Sequence, residues 1–231
     1  MADTRPLWIE FFCGQGGSAY GAHAAGFRVI GVDRDPQPLF PFEFVQGDAL
    51  ELIPHMVSWH QPAVVSGGPP CQDYSRLRSR TGKRYPRLID PTREAFRATG
   101  LPYVIENVET ARDQLIEPVL LCGSMYDPAP KVDGLLLKRH RLFESNLPLA
   151  APSVDKCRWR TQHRGIINVH GGGGARESRG PNGERIGHGN KATASEAAQL
   201  LDTPWMTVAG MNECIPPRYM ETIARQVKAQ L

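Results

Sequence analysis

No apolar run in this 231-residue chain is long enough to cross a membrane, and Met1 to Pro6 is polar rather than a secretory leader. A soluble, cytoplasmic protein is expected. Cysteine is scarce. Cys13, Cys71, Cys122, Cys157 and Cys214 are odd in number and far apart, with no CxxC pair and no histidine at metal-ligand spacing. That pattern argues against a disulfide scaffold and against a zinc site, so no metal is expected. Internal repeats are missing as well. With 41% apolar residues, 231 positions supply one sizeable core rather than two full domains.

Acidic residues are depleted where basic ones collect. Between Arg76 and Arg93 seven basic residues face one acid, Asp90, and between Lys156 and Lys191 eight face Glu177 and Glu184. The rest of the chain is acidic although the formal net charge is +3. Two basic segments on an acidic body point to a polyanion held at one face; ordinary solvated loops are the alternative.

Leu7 to Phe12 reads as a buried strand, Gly14-Gln15-Gly16-Gly17 as a tight turn, and Ser18 to Ala25 as a short helix. Phe27 to Val32 follows as a second strand ending at Asp33. Gly14-x-Gly16-x-x-Ala19, with an acid about 20 positions on, is the pattern of a βαβ nucleotide-binding unit. Phe42 to Gln46, Ala63 to Gly67 and Tyr103 to Ile105 read as further strands, ending at Gly47-Asp48, at Cys71 and at Glu106. Residues able to do chemistry therefore cluster just past strand ends, where open α/β sheets bind ligands. In Val64-Val65-Ser66-Gly67-Gly68-Pro69-Pro70-Cys71-Gln72 a strand stops at glycines and prolines that hold a thiol rigidly at the mouth of a cleft.

Further on, Leu135 to Phe143 reads as one strand carrying Arg139, His140 and Arg141, with both arginines on one face because strand side chains alternate. Ala150 to Asn190 reads as long loops with little core, in which Gly171-Gly172-Gly173-Gly174 reads as a flexible hinge, with a phosphate cradle as the alternative. Thr193-x-x-Glu196 is a capping box that opens a helix. Pro216-Pro217 start a last helix with Met220, Ile223, Ala224 and Val227 at helical spacing.

Taken in order, Glu10 to Gly17, Gly67 to Ser75, Glu106-Asn107-Val108 and Arg139-His140-Arg141 resemble successive motifs of the DNA (cytosine-5)-methyltransferase family. The resemblance runs from about Trp8 to Val227. Glu10 stands where Asp is usual, and Leu137 where Gln is common. The resemblance implies an α/β, Rossmann-like fold of the S-adenosyl-methionine-dependent methyltransferases, with a mostly parallel sheet and a small, loop-rich recognition insertion. On that basis 1–144 is a catalytic and cofactor-binding core, 145–191 a reduced, basic target-recognition segment, and 192–231 C-terminal helices completing the core. A monomer in a prokaryotic or phage-infected cell is expected.

In the chemistry so implied, the Cys71 thiolate adds to carbon 6 of cytosine, because carbon 5 is a poor nucleophile until electron density is pushed onto it. Backbone N–H groups and nearby arginine are expected to stabilise that anion. Glu106, as a neutral acid raised by burial, protonates ring N3; Arg141 donates to O2, and Arg139 holds the base or the loop. The cofactor S-adenosyl-L-methionine is expected against Phe12, Gly14, Gly16 and Gly17, where a Cβ would collide. Asp33 takes the ribose hydroxyls, Arg34 and Asp48 meet the adenine, and Pro70 and Asn212 complete the cofactor side. Gln72, Ser75 and Asn107 fall on the substrate side, with Arg80, Lys83 and Arg84 as phosphate contacts. The implied partner is duplex DNA with a flipped cytosine. The recognition segment is short, so a target of a few bases, or none, is expected. Cytosine in RNA, a free cytosine nucleotide, a dinucleotide-dependent oxidoreductase and a silent nucleic-acid-binding relative stay open at this point.

Overall fold

The structure, a computed structural model, describes residues 3–74, 86–152, 157, 165–170, 178–179, 185–186 and 191–231, with 178–179 and 185–186 as backbone. Its centre is a seven-stranded sheet of order β3-β2-β1-β4-β5-β9-β6. The strands are β1 Leu7–Phe11, β2 Arg28–Asp33, β3 Glu43–Gln46, β4 Val64–Gly67, β5 Tyr103–Asn107, β6 Val119–Leu121 and β9 Arg141–Ser145. The first five are parallel neighbours, whereas β9 runs antiparallel to both β5 and β6. One reversed strand thus sits inside an otherwise parallel sheet. Its central strands are buried on both faces and so read as continuous apolar runs, as parallel strands do.

Alternation sorts the side chains into two layers. Trp8, Val64, Val104 and Phe143 pack on the face covered by α1 (Gly17–Ala24) and α6 (Pro217–Lys228). Ile9, Val65, Ile105 and Leu142 pack on the face holding α2 (Ala49–His60) and α3 (Ile89–Ala98). The capping box of α4 (Ala194–Leu201) forms as expected, and the predicted apolar stripe of α6 is buried. Glu10, two residues after Trp8, falls on the α1/α6 face, as does Glu106, two after Val104.

The single strand expected over Leu135 to Phe143 is two. β8 (Leu135–Lys138) lies in a small sheet between β7 (Lys131–Val132) and β10 (Ile166–Asn168), while β9 begins at Arg141 in the main sheet. Arg139 and His140 occupy the break, so the two arginines do not share a strand face. Leu137 anchors β8 in a separate apolar cluster with Ile167, Val169, Leu200 and Met211, and Phe143 anchors β9 in the main core. The stretch expected to have little core also contributes: Ile166, Ile167 and Val169 are buried, and β11 (Ser178–Arg179) pairs with β12 (Arg185–Ile186). The glycine run 171–174 lies outside the described residues. Among those residues, no helix is long and apolar enough to cross a membrane.

Candidate active site

At the carboxyl ends of β1, β4 and β5 the register sets Phe11 beside Gly67 and Gly67 beside Ile105. The residues that follow these strand ends converge. Asn107 Nδ2 donates to the Pro69 carbonyl at 2.9 Å, pinning the loop that presents Cys71, and the Cys71 carbonyl accepts from Tyr74 N at 3.0 Å. Pro70 and Gln72 flank the thiol, both half-buried. Asp73 is buried and takes Arg87 at 2.8 Å. Ser75, Arg80, Lys83 and Arg84 lie outside the described residues.

Glu106 is the chemical centre of this end. Its Oε1 lies 2.8 Å from Arg141 Nε as an ion pair that lacks hydrogen-bond alignment, so among the described residues that buried oxygen makes no hydrogen bond. A Cβ built on Gly68 would stand 3.1 Å from Oε2, a tight contact that the carboxyl would have to give way to by a few tenths of an ångström. Burial pushes the Glu106 carboxyl up to about 7, against the pull of Arg141 and Arg139. The same burial, with Glu106 second, holds the Cys71 thiol above its usual range, and Arg141 opposes the rise. A backbone hydrogen bond and Arg141 both favour the thiolate, as expected, but burial and Glu106 outweigh them. A carboxylate beside a thiol raises it, and the two groups compete for one negative charge.

The two arginines divide their work. Arg141 also donates from Nη1 to the His140 carbonyl at 2.9 Å. Arg139 is buried, and its fork binds backbone: Nε and Nη2 reach the Cys214 carbonyl at 2.9 and 2.5 Å, Nη2 reaches Asn212 O at 2.9 Å, and Nη1 reaches Val169 O. Burial, then the neighbouring Arg141, lowers its pKa to about 9. Arg139 holds loops. Asn212 enters through its backbone carbonyl.

The glycine turn bounds a cavity of about 220 Å³ lined by Glu10, Gly16, Gly17, Ser18, Gly210 and Glu213, among others. Gly14 and Gly16 have φ of 48° and 87°, and α1 starts immediately after Gly16. The expected steric demand comes from the protein itself. A Cβ on Gly16 would meet Pro41 Cδ at 2.7 Å, one on Gly17 would strike Cys214 and Ile215, and one on Gly14 would meet nothing. Asp33 steadies the turn, with Oδ2 accepting from Gly14 N at 2.9 Å and Oδ1 from Asp35 N at 3.0 Å. Asp48 caps α2 through Oδ1. Phe12 carries a positive φ of 57° at the strand-to-turn corner. Arg34 is exposed, 3.8 Å from Asp35.

Sequence reasoning passed over Glu10 as a site residue. It is 1% exposed, accepts from Trp8 Nε1 at 3.2 Å and from Ser66 Oγ, and is raised by burial. The signal was present: an acid in the middle of an apolar strand. Gln15 was missed too; its side chain binds Thr207 N and Oγ1, each at 2.9 Å, tying the glycine turn to α5 (Val208–Glu213).

Two solved structures share this fold. A DNA modification methyltransferase encoded within an E. coli prophage superposes with a TM-score of 0.59 at 17% identity, covering 97% of this chain and 99% of that one. The S. pombe Dnmt2 methyltransferase gives 0.59 at 12%, covering 98% and 99%. The chain has the methyltransferase fold. In sequence it is similar to the type II methyltransferase M.HgiDI of Herpetosiphon aurantiacus, 27% identical over 119 residues. That match covers 45% of this chain and 37% of the relative's length. No family model matches.

Proposed function

We propose that this protein transfers a methyl group from S-adenosyl-L-methionine to carbon 5 of cytosine in DNA. The observation that carries the reading is the meeting of Cys71, Glu106 and Arg141 on one side of a methyltransferase fold, with Asn107 pinning the loop between them. The residues present fit the cofactor. Asp33 and Asp48 keep acceptor lone pairs for hydroxyl and amino groups, while Glu10 and Glu213 offer carboxyls at the cavity wall to a cationic ligand. When bound, S-adenosyl-methionine supplies an electrophilic methyl group.

The chain's own steps follow from the proton balance. The Cys71 proton passes to the ionised Glu106 carboxyl, and the thiolate Sγ bonds to carbon 6 of the ring. The displaced electron pair moves through carbon 5 toward N3, where Glu106 donates a proton, and Arg141 offers N–H donors to O2. After methylation a base removes the carbon 5 proton, that pair re-forms the ring double bond, and the carbon–sulfur bond breaks to restore Cys71. An acid near 7 suits a group that must both give and take a proton close to neutral pH.

Tritiated S-adenosyl-methionine incubated with duplex DNA, RNA or dCMP tests the reading, with label expected in DNA. DNA carrying 5-fluorocytosine should give a denaturation-resistant adduct, since it lacks the hydrogen needed for elimination. Label confined to RNA or dCMP moves the substrate, and no label with a cofactor-binding protein rejects the activity.

A further inference from the structure

Three residues distant in sequence meet between the end of β6 and the break before β9. One ligand atom each from Cys122, His140 and Cys157 lies within 4.8 Å of the others. Cys122 follows β6, His140 sits in the break between β8 and β9, and Cys157 comes from the 145–191 segment. Both cysteines are buried, and neither forms a disulfide. His140 Nε2 is 3.2 Å from Cys157 Sγ, and Ser124 Oγ is 3.5 Å from each sulfur. On its other side His140 Nδ1 meets Glu109 Oε2 at 2.6 Å. A carboxylate on one imidazole nitrogen fixes the tautomer that turns the other nitrogen's lone pair toward an ion, the arrangement that supports zinc-bound histidines.

We propose that Cys122, His140 and Cys157 bind a zinc ion, with Ser124 beside the fourth position and Glu109 orienting His140. Bonds of about 2.3 Å to sulfur and 2.0–2.1 Å to nitrogen in a tetrahedron put the ligand atoms roughly 3.5–3.8 Å apart; His140 Nε2 and Cys157 Sγ, at 3.2 Å, come within a few tenths of an ångström of that, and Cys122 Sγ lies within 4.8 Å of both. Binding releases the two thiol protons to solvent. The resulting pair of thiolates balances the ion, so no net charge is left in a buried site. Soft sulfur and imidazole donors select zinc over magnesium or calcium.

The placement gives the ion a purpose. His140 lies between Arg139 and Arg141, and Glu109 lies three residues past Glu106. Zinc would fasten the basic segment that carries Cys157 to the strand ends that carry the reacting groups. Local spacing hid the site because its members come from three separated elements.

The test reads metal and does not depend on methylation. Desalted protein made in reducing, zinc-supplemented medium should hold one equivalent of zinc by mass spectrometry. Its cobalt-substituted form should show tetrahedral d–d bands with thiolate charge transfer. Cys122→Ser and Cys157→Ser should each abolish both signals, while Cys13→Ser keeps them. Glu109→Gln, which leaves every ligand in place, should weaken zinc binding about 10–100-fold with circular dichroism unchanged. Overturning results are a folded, reduced chain that takes up no stoichiometric zinc, a Cys122–Cys157 disulfide in metal-free protein, or a serine variant that binds zinc like the parent.

Discussion

Two buried carboxyls sit on the same face of the same sheet, one at each end of the cleft, and their neighbours differ. Glu10, at the glycine turn, is held by an indole N–H and a hydroxyl. Glu106, at the thiol, faces the charged Arg141 and feels Arg139 behind it. Burial raises both. At Glu10 only neutral donors oppose that rise. At Glu106 the arginines pull back, and the group settles near 7, where it can exchange a proton. One fold face thus holds two buried carboxyls of the same residue type, and their neighbours set how each behaves.

The comparison breaks most sharply at the thiol. Cys71→Ser should reduce methyl transfer roughly 10⁴-fold or more, because an alcohol is far less ionised and shares no negative charge with Glu106. Cofactor affinity, measured by calorimetry, should hardly change, since Cys71 does not line the glycine-turn cavity. Near-parental turnover by the serine variant would remove the covalent step.

Glu106→Gln should cost about 10²–10⁴-fold in kcat/KM and alter its pH profile in a defined direction. Reaction needs one proton shared between the pair, on Glu106 with Cys71 ionised. Below about 7 both groups are protonated and no thiolate exists, so kcat/KM of the parent should fall as pH drops through about 7. Above it a small, constant fraction carries the proton on the carboxyl, and the rate stays level until the thiol itself titrates. In the glutamine variant the limb near 7 should vanish and the remaining rate should climb with pH. A parent profile that instead declines above 7 would show that Glu106 works without drawing on the Cys71 proton.

At the glycine-turn cradle the effects are smaller and fall on binding. Asp33→Ala removes acceptors for Gly14 N and Asp35 N, and in the proposed complex for ribose. About 1–3 kcal/mol of S-adenosyl-methionine affinity should be lost. Gly16→Val should disrupt the turn through its φ of 87° and the press of Pro41. If both variants bind the cofactor like the parent, the cradle has been misplaced.

The cradle was also the more legible end in sequence. β1, β2, β4 and β5 were recognisable because buried parallel strands read as mostly apolar runs, closed here by a glycine turn after β1 and β4 and by an acid at the ends of β2 and β5. Thr193 and Pro217 announced their helices through local chemistry. Helix α2 escaped notice because Pro54 lies inside it, and α3 because Pro91 stands in its first turn. Nothing local marks the break at Arg139-His140, since Leu135 to Leu137 and Leu142 to Phe143 are equally apolar and only their tertiary partners separate them. Arg93, counted among the basic residues facing a polyanion, is buried instead, with Nε 2.6 Å from Glu144 Oε1 and Nη2 2.8 Å from Oε2. Charge counting cannot see a buried partner 51 residues away.

That correction narrows the last and smallest prediction. Arg93 is spent on Glu144 and Arg87 on Asp73, while Arg76, Arg78, Arg80, Lys83 and Arg84 lie outside the described residues. Each phosphate contact releases condensed counterions, so affinity falls with salt in proportion to the number of contacts. Replacing Arg80, Lys83 and Arg84 together by alanine should flatten the salt dependence of DNA binding by up to about three counterions. Arg87→Ala should change that slope little, because its charge already belongs to Asp73. Fluorescence anisotropy across a salt series measures both. Equal slope changes for Arg87→Ala and for a single Arg80→Ala would mean that the Asp73 pair opens on DNA. An unchanged slope in the triple variant would place the phosphate grip in the second basic segment.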